Sequence, residues 1–128
     1  MKRSISALFV AGTIAATVAP AMAHHNANAQ WQTDKRLEIN GTLKEVRDIS
    51  PHAHWLFDIK DAASGKVDTW DFEGISANAL RRQGIMIKQQ IKPGQEYKVV
   101  YSPSRDGSKA GFLVGIYIDG KRVDFLRV

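Results

Sequence analysis

The stretch Ser50-Pro51-His52-Ala53-His54-Trp55-Leu56-Phe57-Asp58-Ile59 decides how the rest of the chain is read. From Trp55 onward, Trp55, Phe57 and Ile59 alternate with Leu56, Asp58 and Lys60, the period-two pattern of a strand buried on one face. The aromatic face points to a core. Carried back to His52, the same extended geometry puts His52 and His54 together on the opposite face, with α-carbons about 6.5 Å apart at roughly 3.3 Å per residue. Two imidazoles so placed can converge on one ion. Pro51 has no N–H to give to a sheet ladder, which suits the beginning of a strand or an edge. The other two histidines are His24 and His25, so all four fall in two short clusters.

Working outward, residues 36–48 read as a long first strand. Leu37, Ile39 and Leu43 alternate with Glu38, Asn40, Thr42 and Lys44, and Gly41 falls on the apolar side as the expected bend or bulge. The phase then shifts to Val46 and Ile49. After the central strand, Ala62-Ala63-Ser64-Gly65 supplies a turn into a third strand over residues 66–72, which predicts a hairpin. Residues 77–83 read as a two-turn helix with Ser76 as N-cap, Arg81 and Arg82 in the last turn and Gly84 as the stop. Lys92-Pro93-Gly94 leads into a fourth strand carrying Tyr97, Val99 and Tyr101 on one face. A polar loop over 102–108 precedes a fifth strand, in which Phe112, Val114, Ile116 and Ile118 share a face. Asp119-Gly120 turns into a short last strand at 123–126. Three strands, one short helix, then two strands and a terminal hairpin is the element order of an OB-fold. The expected fold is therefore all-β, a small antiparallel OB-like five-stranded barrel with one short helix between strands three and four.

The first 23 residues have a basic start at Lys2 and Arg3, an apolar run over 5–18 and the small-residue pattern Ala21-Met22-Ala23. That is the composition of a secretory signal peptide, and the run is too short and too rich in Ala, Gly and Thr for a span of about 20 residues. A periplasmic or secreted location is expected, with residues 24–35 as a polar mobile arm and 36–128 as one barrel domain. Cleavage after Ala23 leaves 105 of the 128 residues, enough for a modest core. It also removes two of the 18 basic residues, leaving 16 against 13 acidic ones and a formal charge of +3 instead of +5. No basic run or basic-aromatic interleaving argues for nucleic acid. With no cysteine, thiolate chemistry is excluded and any metal site must use nitrogen and oxygen ligands.

His24-His25 behind the signal, Pro51-His52 before an aromatic strand, Phe72-Glu73-Gly74 and Asn78-Ala79-Leu80-Arg81-Arg82-Gln83-Gly84 together carry a resemblance, extended by Lys92-Pro93-Gly94 and Asp106-Gly107-Ser108. Over nearly the whole mature length the chain resembles a family of small exported bacterial proteins of unknown function, with a His-His start and an Asn-Pro-His motif. The resemblance implies an exported β-rich domain and brings no activity with it. Ser50 stands where that family has Asn, and Ile85 where it has Trp after the helix.

Cleavage after Ala23 would make His24 the N-terminus, offering an α-amine and an imidazole that chelate together. A further imidazole from His52 or His54 completes a three-nitrogen set resembling a histidine brace, with His25 a further candidate. Such ligands suit copper first, then nickel and zinc. Cleavage after Ala21 would instead place a histidine third, a different chelate for the same metals. Against this stand plainer roles: a solvated His-His tail, and a His52 that hydrogen-bonds its own strand. Glu73 can bring a carboxylate near a site. Arg81 and Arg82 complement the helix dipole. Trp31, Trp55 and Trp70 offer a stacking surface for a sugar or aromatic ligand, with Trp55 and Trp70 expected in the core. No phosphate loop, dinucleotide fingerprint or nucleophile-base spacing is present. Three readings follow, in falling order: a metal-binding protein, a periplasmic OB-like module for a small ligand or partner protein, and a copper-dependent oxidase.

Overall fold

Along the central strand, Ala53, Trp55, Phe57 and Ile59 are buried while His52, His54, Leu56 and Asp58 lie half-buried on the other side, as the alternation requires. A computed structural model describes residues 27–49 and 51–126. His24, His25 and Ser50 lie outside the described residues, as does the apolar N-terminal run.

The elements are α1 (Ala27–Gln30), β1 (Leu37–Arg47), β2 (His52–Lys60), β3 (Val67–Ile75), α2 (Ala77–Arg82), α3 (Ile87–Gln90), β4 (Glu96–Pro103), β5 (Ala110–Ile118) and β6 (Lys121–Asp124). The strands pair in the order β3-β2-β1-β4-β5-β6, and β3 also pairs with β5, which closes a five-stranded barrel. Every pairing is antiparallel except that closing seam, where Asp71, Phe72 and Glu73 run parallel to Ala110, Gly111 and Phe112. The OB-like barrel expected from the element order is therefore present, with a mixed sheet. β6 is a hairpin added outside the closed ring.

The last strand, expected at 123–126, is found at Lys121–Asp124, and three further features differ from the sequence reading. The β1 irregularity sits between Leu43 and Glu45, not at Gly41. Gly41 instead stays in register opposite Tyr97, and a Cβ there would lie 2.9 Å from Ile59 Cγ1. On β5 the register slips at Val114, between the pairs Tyr101–Leu113 and Val100–Gly115. A bulge reverses which side each residue faces. Leu113 and Ile116 are therefore in the core, and Phe112 faces outward. The third difference is α3, a single turn after Gly84 whose short apolar-polar run gave no helical period.

The core gathers Leu43, Trp55, Phe57, Phe72, Leu80, Val99, Leu113, Ile116 and Phe125, all without solvent exposure. Leu80 comes from α2, capped by the Ser76 hydroxyl accepting from the Ala79 N–H at 3.3 Å and ended by Gly84 at φ 83. Phe125 follows β6 and inserts beside Trp55, with ring centroids 5.6 Å apart. Its backbone N–H donates to the Val114 carbonyl at the bulge, 2.8 Å away.

The seam and the aromatic insert are both measurable. Gly111→Ala would put a Cβ 2.5 Å from Tyr101 Cδ2 and 2.9 Å from the Ser102 carbonyl oxygen. It is expected to cost about 1–3 kcal/mol in denaturant unfolding. Phe125→Ala, which empties a fully buried site, is expected to cost about 3–5 kcal/mol. A change below ~0.5 kcal/mol for either would contradict the packing described.

Candidate functional site

The period-two geometry that buries Trp55 turns His52 and His54 outward, and the register opposite them sets their partners. His54 faces Glu73 across the β2–β3 ladder, His52 faces Ile75 and Leu56 faces Asp71. Both imidazoles lean along the strand by one pair. His52 Nδ1 meets Glu73 Oε1, and His54 Nδ1 lies 3.0 Å and 3.2 Å from the two Asp71 carboxylate oxygens. The outer face of the hairpin thus carries two histidine–carboxylate pairs in series.

An ionised carboxylate only accepts, so the proton of each neutral ring sits on Nδ1 and Nε2 keeps its lone pair. A carboxylate accepting from Nδ1 in this way orients an imidazole whose Nε2 binds a metal. It is equally an ordinary surface pair. Among the described residues, no group of three or more His, Asp and Glu side chains is arranged to hold a metal ion.

The two pairs differ in their surroundings. Asp71 is half-exposed, whereas Glu73 is only 18% exposed, because β5 and the N-terminal segment cover it. Phe112, opposite Glu73 at the seam, stands edge-on to His52 at 6.3 Å between centroids and tilted against Trp31 at 6.4 Å. Ala27, Gln30, Trp31, His52, Glu73 and Phe112 enclose a pocket of about 130 Å³. Phe112 enters this site only because of the Val114 bulge, and a single-phase reading of the strand hides it.

The arm is tied down from Ala27 onward, which its polar, aperiodic sequence did not signal. Trp31 is 4% exposed and bridges to Ser104. The Gln32 N–H donates to the Pro103 carbonyl at 2.8 Å, the Arg105 N–H donates to Gln30 at 3.0 Å, and Arg105 Nε donates to the Asn28 carbonyl at 2.6 Å. The β4–β5 loop receiving the arm is itself closed by serine contacts: Ser104 Oγ reaches the Ser108 carbonyl, and the Ser108 N–H reaches Asp106. Hydrogen bonds from Ser108 hold the Asp106 carboxyl below the usual carboxylate range. The one cue in the sequence was a lone Trp31 in a polar segment.

Arg81 is not brought to this site. Its guanidinium donates to Asn78 Oδ1 at 2.6 Å, and it lines a separate groove with Asp48, Ile85, Met86 and Lys88. Trp55 is fully buried, as expected, and Trp70 is half-buried at another edge of the barrel. Ile85 is 8% exposed and serves the core.

The protein is a closed OB-like barrel with paired histidine–carboxylate groups on its outer β2–β3 face. The chain belongs to a family of unknown function, DUF6152, whose sequence pattern matches residues 11–113. That span includes His24, His25, His52 and Glu73 and ends within β5. No curated protein matches the chain. Among the described residues, no helix is long and apolar enough to cross a membrane.

Trp31→Ala removes the buried anchor of the arm. It is expected to speed amide exchange at Gln32 and Arg105 by at least about tenfold while leaving the β2–β3 amides unchanged. Unaltered exchange at those two amides would show that the arm is held without Trp31.

Proposed function

We propose that the protein is an exported metal-binding protein, with copper the favoured ion, in which His24 and His52 supply the ligands. Cleavage after Ala23 exposes the His24 α-amine and imidazole, and His52 contributes Nε2, its ring oriented by Glu73. His25 and His54 are candidates for a further ligand. One observation carries the reading: Ala27, three residues after His24, lines the same small pocket as His52 and Glu73. Three residues span at most about 10–11 Å, so the reading requires a His24 terminus to act within that reach of Ala27. Amine and imidazole nitrogens without thiolates favour Cu(II) in the usual divalent order.

A second reading has its own support. The rings of Trp31 and Phe112 wall the pocket beside His52, which suits a small ligand bound without metal.

Titration of the processed protein with Cu(II), followed by native mass spectrometry, separates the two. One tightly bound copper is expected per His24-terminated chain, lost in His24→Ala and in His52→Ala. Glu73→Gln, which keeps a hydrogen-bond acceptor and removes the charge, is expected to weaken binding by about 10–100-fold. A protein indifferent to Cu(II) would exclude the metal reading and leave the small-ligand module.

A further inference from the structure

Away from the histidines, at the N-terminal end of β3, lies a wider cavity of about 470 Å³. That is within the range of roughly 300–1,000 Å³ typical of small-molecule sites. Its floor is Trp70 with Ile39 and Ile59, and its rim carries Lys60, Lys66 and Lys109. The cavity exists because the β3–β5 seam pairs only from Asp71 onward, so Val67–Trp70 part from β5 and leave this edge of the barrel open. Trp70 stacks on Phe72 with centroids 5.9 Å apart and meets Tyr101 edge-on at 6.0 Å, which fixes the indole where it lines the cavity.

The charges around the rim are unequally committed. Asp61 Oδ1 accepts from the Ala63 N–H, the Ser64 N–H and the Ser64 hydroxyl, closing its own turn. Asp68 is engaged by both Lys109 and Lys66, and these contacts keep its carboxyl ionised below the usual range. Both carboxylates of the rim are thus used. The Lys60 ammonium makes no hydrogen bond or ion pair among the described residues, so it is the uncommitted charge of the rim.

An apolar indole floor ringed by ammonium donors fits a ligand with one flat C–H face, several hydroxyl oxygens around its edge and a negative charge. The free Lys60 ammonium, with the N–H groups that Lys66 and Lys109 keep beyond those given to Asp68, suits distributed hydroxyls better than a single carboxylate on an otherwise apolar ring. We infer that this cavity binds an acidic sugar, a uronate ring stacked on Trp70 with its carboxylate on Lys60. The site is separate from His52 and does not depend on the metal reading.

The test is nuclear magnetic resonance of the ¹⁵N-labelled processed protein titrated with sodium glucuronate, with glucose, acetate and benzoate as separate comparisons. Expected are saturable shifts of the Trp70 indole N–H and the Lys60 amide with glucuronate, smaller ones with glucose, and none with acetate or benzoate. Lys60→Ala, an exposed change that leaves the core intact, is expected to weaken glucuronate binding about two- to fivefold, the worth of one exposed charge pair. It should also bring glucuronate to the level of glucose. The inference is overturned if Trp70 does not respond to glucuronate, if benzoate or acetate shifts it as strongly, or if Lys60→Ala leaves glucuronate binding unchanged.

Discussion

The structure depends on one short parallel seam. Three residue pairs, Asp71–Ala110, Phe72–Gly111 and Glu73–Phe112, turn an open antiparallel sheet into a closed barrel. Parallel pairing demands that the chain cross over between the two strands, and here the crossover contains α2, α3 and β4. The close approach is tolerated because Gly111 carries no side chain where Tyr101 and the Ser102 carbonyl press in. Closure pairs part of the β3 and β5 edges that an open sheet would present to solvent or to another chain. The same three pairs carry the site, since Glu73 and Phe112 are neighbours only because the seam forms.

Where the seam stops matters as much as where it holds. Below Asp71 the strands separate, and the gap is the cavity floored by Trp70. Above it, Glu73 is sheltered by Phe112 and by the arm, while Asp71 stays half-exposed. Two histidine–carboxylate pairs of identical chemistry thus have different solvent access, and that difference follows from position along one strand. The Trp31 anchor adds the remaining constraint by keeping Ala27 on the same small pocket as His52. Side-chain burial of this kind fixes a segment whose own backbone pattern would not order it.

Much of the fold was legible because strand periodicity is local. Trp55, Phe57 and Ile59 announced the core face, Ser76 and Gly84 marked the ends of α2, and Asp119-Gly120 set the last turn, where both residues have positive φ. The outward face shared by His52 and His54 followed from the same alternation. What the sequence could not show was non-local. A bulge at Val114 changes the phase of the strand, so Phe112 read as sharing a face with Ile116. The partners of His52 and His54 depend on the β2–β3 register, and the docking of Trp31 on Ser104 spans 73 residues of chain. Phe125 follows the final strand and reads as its continuation, yet it leaves the ladder to fill the core beside Trp55.

The proposed copper site requires a His24 terminus and His52 to bind one metal ion. Electron paramagnetic resonance of the protein loaded with one equivalent of Cu(II) tests it most directly, because hyperfine structure counts the coordinating nitrogens. Three nitrogen ligands in the processed protein, falling to two in His52→Ala, is the predicted result. A spectrum identical in the two proteins, or one matching free Cu(II) in buffer, would contradict the claim.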